Sequence, residues 1–143
     1  MKYVVLVSHG EFAQGLRSAV CMLAGEDRSD VLATSLKDGM GANEFAENVK
    51  TLLKDVKADD EIILFADIVG GSPLSTAANT IAELGLLPRT TMVGGMNLPL
   101  VITTVLSKDD EETSEVIAEA LEAAQGQLHE FKIAADDDED EEL

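Results

Sequence analysis

Two apolar periodicities alternate along this chain, and their alternation is the feature that most constrains its fold. Tyr3–Val7 is a continuous apolar run, the pattern of a strand buried on both faces. Phe12, Leu16, Val20 and Leu23 then recur at helical spacing and stop at Gly25. The pair repeats: Val31–Leu36 reads as a strand, and Phe45, Val49, Leu52, Leu53 and Val56 form a helical stripe. Ile62–Ala66 is a third strand, after which Ser72 as N-cap and Pro73 as first helical residue open a helix to about Leu84. Thr90–Val93 is a fourth strand, followed by Asn97-Leu98-Pro99 and an apolar helix to about Leu106. A charged helix over 111–125 turns Val116, Ile117, Ala120, Leu121 and Ala124 inward.

Strands separated by helices demand right-handed crossovers, so the fold class is α/β, a doubly wound, mainly parallel sheet flanked by helices. A flavodoxin-like order 2-1-3-4 is expected. The last apolar piece, Leu128–Ile133, alternates imperfectly and reads as a half-exposed C-terminal edge strand. Its His129, beside Glu130, reads as a solvated side chain.

At 143 residues the chain suits one domain, assigned to 1–133. Asp136 to Glu142 are seven acids in a row, so 134–143 is read as an acidic, solvated, disordered tail. That run holds seven of the 18 net negative charges. A surface so negative repels phosphate backbones and anionic lipid, which argues against nucleic-acid and membrane-surface partners. Only 3% of residues are aromatic and Trp is absent, so base-stacking platforms are lacking. The single cysteine, Cys21, suits a reducing compartment, and no stretch is apolar enough for a signal peptide or membrane insertion. A cytoplasmic location is expected.

In a sheet of this order the winding reverses at the first strand, and ligands bind outside the carboxyl ends of the strands there. His9 ends the first strand and Asp67 follows the third, so the two should face each other. Gly70-Gly71-Ser72-Pro73 brings a tight turn and a helix start whose free amides form an anion site, with Gly71 and Ser72 as phosphoryl binders. Gly70, with Met96 and Asn97 of the next loop, is assigned to the pocket wall. These three loops contain no Lys or Arg, which disfavours sites built for nucleotides or phosphate esters. If Asp67 accepts a hydrogen bond from Nδ1–H of His9, Nε2 is left as a neutral nucleophile able to take up a phosphoryl group. No cofactor or metal is expected.

Ser8-His9-Gly10, Asp67 with Gly70-Gly71-Ser72-Pro73, and Met96-Asn97-Leu98-Pro99 together resemble the IIA component of the mannose-type, phosphoenolpyruvate-dependent sugar phosphotransferase system. The likeness covers about residues 1–133. It implies that His9 accepts phosphate from the phosphocarrier HPr and donates it to a IIB component for sugar uptake, with Asp67 orienting the imidazole and Ser72 contacting phosphate. It also implies a homodimer in which the final strand, here Leu128–Ile133, is exchanged. Val69 departs from the pattern, since some members carry Trp there, and the sugar stays open. The alternative is the phosphotransfer subunit of a dihydroxyacetone kinase system, which lacks these loops in this form. A histidine phosphatase would need Arg before the His, where Ser8 stands. A receiver module phosphorylated on Asp67 would need acids at the end of the first strand to hold Mg²⁺.

Overall fold

The computed structural model describes residues 1–134; the acidic run 136–142 lies outside the described residues. Four strands, Lys2–His9 (β1), Val31–Leu36 (β2), Glu61–Ala66 (β3) and Thr90–Val93 (β4), pair in parallel in the order β2-β1-β3-β4. Five α-helices accompany them among the described residues: Phe12–Ala24 (α1), Ala42–Leu52 (α2), Ser72–Glu83 (α3), Leu98–Ser107 (α4) and Thr113–Gly126 (α5). The expected α/β class and 2-1-3-4 order are thus the observed ones.

The apolar run in β1 is continuous because both faces of the sheet are covered. Val4 and Leu6 pack on one side in a cluster with α1, α4 and α5 through Leu16, Val20, Leu100, Val101 and Ala120. Val5 and Val7 point the other way, into a cluster with Phe45, Val49, Ala77 and Ile81 of α2 and α3. One strand therefore contributes to two cores, and the period-2 geometry of the pleat divides its residues between them. On α1 the buried face is Ala13, Leu16 and Val20, while Phe12 and Leu23, which the helical spacing placed inward, are exposed. On α5, of the five residues expected inward, Ile117, Ala120, Leu121 and Ala124 pack in the first cluster, and Val116 is fully buried.

Two local expectations are revised. The N-cap of α3 is Gly71, with Ser72 as the first helical residue, so the Ser72 hydroxyl is not engaged in capping. Residues 128–134 form no strand. A strand exists only by pairing, and in the single chain this segment pairs with neither edge of its own sheet; Leu128, Phe131 and Ile133 stand exposed at 83%, 62% and 87%. Among the described residues no helix is long and apolar enough to cross a membrane.

Candidate active site

The winding reverses at β1, whose neighbours β2 and β3 lead into helices on the same face of the sheet, while α1 lies on the other. His9 is the last residue of β1, paired in register with Leu36 of β2. Asp67 follows the last residue of β3. The sheet thus brings together two residues 58 apart in sequence: Nδ1 of His9 lies 2.9 Å from Oδ2 of Asp67. The same oxygen accepts the backbone amide of His9 at 3.0 Å, and Oδ1 accepts the amide of Ile68, also at 3.0 Å. Ring and backbone of His9 are therefore fixed by one carboxylate.

Burial acts to raise the Asp67 carboxyl, but the His9 amide, the His9 ring and the Ile68 amide outweigh it and hold the group below its ordinary value. An ionised Asp67 can only accept, so Nδ1 must donate, and the lone pair of the neutral ring resides on Nε2. With 47% of the His9 side chain exposed against 16% for Asp67, the carboxylate is sheltered and the ring faces solvent.

Ser8 supports this arrangement from below. Fully buried, its Oγ accepts the Ala13 amide at 2.7 Å and shares a hydrogen bond of 3.0 Å with Ser35 Oγ, pinning the start of α1 to the ends of β1 and β2. In the sequence, the signal for this role is a polar side chain at an otherwise apolar strand end.

The loop after Asp67 closes over the ring. A Cβ on Gly71 would come 3.1 Å from Cε1 of His9, tighter than ordinary contact, so any larger residue would push the ring or the loop aside by a few tenths of an ångström. Cε1 lies between the two ring nitrogens, so the start of α3 stands beside the ring edge that carries them both. In that first turn Ser75 is the first residue whose amide reaches back into the helix, to Gly71, and Pro73 has no N–H. The amides of Ser72 and Leu74 precede that bond, so neither has an acceptor within the helix, and the positive end of the helix dipole adds to them.

Of the residues assigned to the wall, Gly70 adopts φ +85° and makes the turn. Met96 and Asn97 are placed elsewhere. The Met96 amide donates to the Ala66 carbonyl at 2.9 Å, and its side chain is buried in the first core cluster. Asn97 caps α4, accepting the Leu100 amide at 2.9 Å, and its Nδ2 donates to the Ala124 carbonyl of α5. That loop reaches the site through Gly94, which lies against Val69: a Cβ there would fall 2.2 Å from Val69 Cγ2. The opposite wall comes from a loop that sequence reasoning left out. An open depression of about 380 Å³ is lined by His9, Gly10, Leu36, Lys37, Gly39 and Met40, among others. A larger one, about 480 Å³, lies at the amino edge around Arg28, Asp30 and Lys108, where the ionic groups satisfy one another.

Fold and site together define a doubly wound α/β protein with an oriented, half-exposed histidine at its switch point. The model of the EIIA-man family, described as PTS system fructose IIA component, matches residues 3–121, and the chain belongs to that family. It is 32% identical over 99 residues to the PTS system fructose-specific EIIA component of Bacillus subtilis (strain 168), a match spanning 69% of this chain and 65% of the relative, just under two thirds of its length. It is 30% identical over 115 residues to the PTS system sorbose-specific EIIA component of Klebsiella pneumoniae, covering 77% of this chain and 81% of that one. Among solved structures, phosphotransferase system component EIIA from Streptococcus agalactiae superposes with a TM-score of 0.77 at 23% identity, over 92% of this chain and 98% of the other, which shows the shared fold. Membership supports a phosphotransfer role in sugar uptake.

Proposed function

We propose that this chain is a phosphocarrier: Nε2 of His9 accepts a phosphoryl group from the phosphorylated form of HPr and passes it to a IIB component that serves sugar uptake. The observation that carries this reading is the 2.9 Å contact between Nδ1 of His9 and Asp67, which commits the ring to the tautomer with a free Nε2. In the forward step the Nε2 lone pair forms a bond to phosphorus as the bond from phosphorus to the donor's imidazole breaks. Nδ1 keeps its proton, the ring becomes cationic, and the Asp67 carboxylate stabilises that charge. The amides at the start of α3 and the Ser72 hydroxyl face the three phosphoryl oxygens. Onward transfer reverses these movements toward the second acceptor.

The reading extends to a homodimer. Leu128, Phe131 and Ile133 are exposed in the single chain, and pairing residues 128–133 with a partner's sheet would cover them. Removing residues 128–143 should then give monomer or aggregate, while removing only 136–143 should leave the dimer; sedimentation velocity separates the two. Phosphoryl transfer is tested by incubating the chain with HPr and its phosphorylated donor. Acid-labile, alkali-stable phosphate, lost in His9→Ala, is the expected result. Acid-stable, alkali-labile phosphate would assign the group to a carboxylate, and release of free phosphate alone would indicate a phosphatase.

A further inference from the structure

Resting on the phosphocarrier reading, we infer that Lys37 is the positioning cation of this site, pairing with the phosphoryl group while it resides on Nε2 of His9. Sequence reasoning found no Lys or Arg in the three loops it assigned to the site. The sheet order supplies a fourth. Because β2 lies directly beside β1, the loop between β2 and α2 must flank the loop that follows His9. His9 pairs in register with Leu36, the residue before Lys37, and the Gly10 amide donates to the Leu36 carbonyl at 3.0 Å. Lys37 and His9 consequently line one depression.

Position singles this residue out. Among the described residues, Lys37 is the one Lys or Arg in a strand-to-helix loop at the carboxyl edge. Lys2, Arg28, Arg89 and Lys108 sit at the opposite edge, where strands begin or α4 ends. Lys132, on the C-terminal segment, lies beside Glu130. The neighbours of Lys37 are acidic: Glu11 after β1, Asp38 next in its own loop, and Asp67 behind the imidazole. A phosphoryl group brings about two further negative charges to that ring of acids. Its one nearby cation makes only a 4.0 Å contact with Glu11 Oε2, beyond hydrogen-bond range, and is half exposed. Lys37 can leave that contact at little cost and meet the phosphoryl oxygens from the side opposite the start of α3. It moves no proton; it offsets charge and fixes the group's orientation.

The test removes any partner protein from the reaction. Potassium phosphoramidate is the donor: as Nε2 bonds to phosphorus, the P–N bond of the zwitterion breaks and ammonia leaves, with no further proton required. Native full-length chain, Lys37→Met and Lys37→Arg are labelled, and the rate and the ³¹P chemical shift of the phosphohistidine are followed against pH. Lys37→Met should label His9 about three- to tenfold more slowly, and the second phosphoryl ionisation should move up by about half a pH unit. Lys37→Arg should stay within about twofold of native. A ³¹P midpoint unchanged in Lys37→Met would overturn the role of Lys37 whatever the rate, leaving the phosphocarrier reading intact. A native chain that takes no label on His9 would overturn both.

Discussion

At the amino edge of the sheet Asp30 accepts both Nε and Nη2 of Arg28, at 3.0 and 2.9 Å, and Lys108 Nζ at 2.8 Å. At the carboxyl edge Asp67 accepts two backbone amides and one imidazole nitrogen. Each carboxyl is held below its ordinary value: Asp30 chiefly by the Arg28 guanidinium, against burial and with Lys108 assisting, and Asp67 by its three donors against burial. The partners differ in what remains open. Lys108 is only 1% exposed and pairs with both Asp30 and Asp109, whereas the His9 side chain is 47% exposed and Asp67 engages only its Nδ1. A closed set of charges can stabilise a fold but has nothing left to offer a ligand; an open one gives up some stability and gains a nucleophile.

Substitutions at the two carboxylates should therefore separate chemistry from stability. Asp67→Asn keeps the size but lets an amide donate to Nδ1, which moves the ring proton to Nε2 and blocks its lone pair. By analogy with triads that lose their carboxylate, phosphoryl transfer should slow by about 10²–10⁴-fold while the folded protein persists. Asp30→Ala should do the reverse. It takes the shared acid from Arg28 and leaves buried Lys108 with Asp109 alone, a loss of about 1–3 kcal/mol measured by urea denaturation, with the transfer rate per folded molecule unchanged. A slowed transfer in Asp30→Ala, or an unaltered one in Asp67→Asn, would erase the distinction.

Smaller effects refine it. Ser72→Ala should slow transfer by about tenfold, because the amides at the start of α3 remain. Gly71→Ala should act similarly, by pushing the ring or the loop aside by a few tenths of an ångström. Acid titration of stability involves both edges. Both carboxyls are depressed in the folded state from 3.8, so the unfolded chain binds more protons as pH falls past that value. Their contribution is complete above about pH 4 and is lost as pH drops toward the folded values, and Asp30→Asn should flatten the fall more than Asp67→Asn. His129→Ala should change nothing measurable; its ring is exposed and, among the described residues, its hydrogen bond is to the neighbouring Glu130 carbonyl.

The sheet order, the two faces of β1 and the meeting of His9 with Asp67 were all legible in the sequence. Strand and helix periodicities are local signals, and the order of a doubly wound sheet then places strand ends without further information. What escaped depends on partners that local patterns do not specify. Leu36-Lys37-Asp38-Gly39 reads as an ordinary turn until pairing with β1 sets it beside His9. Met96 looks like a loop residue, yet the hydrogen bond of its amide to Ala66 directs its side chain into the core. Ser72 has the composition of an N-cap, but the extended backbone of Gly71 occupies that position and leaves the hydroxyl available. The alternation in Leu128–Ile133 suits a strand, but a strand needs a pairing partner, and residues 128–134 meet none in the single chain.

The central claim is that Asp67 holds Nδ1 of His9 so that Nε2 carries the phosphoryl group. Long-range ¹H–¹⁵N correlation of uniformly ¹⁵N-labelled protein, recorded before and after phosphorylation, reads both nitrogens directly. The free protein should show the neutral ring of His9 with its proton on Nδ1, and the phosphorylated protein should show phosphorus coupling at Nε2 with the Nδ1 proton retained. Phosphorus coupling at Nδ1, or at either nitrogen of His129, would contradict it.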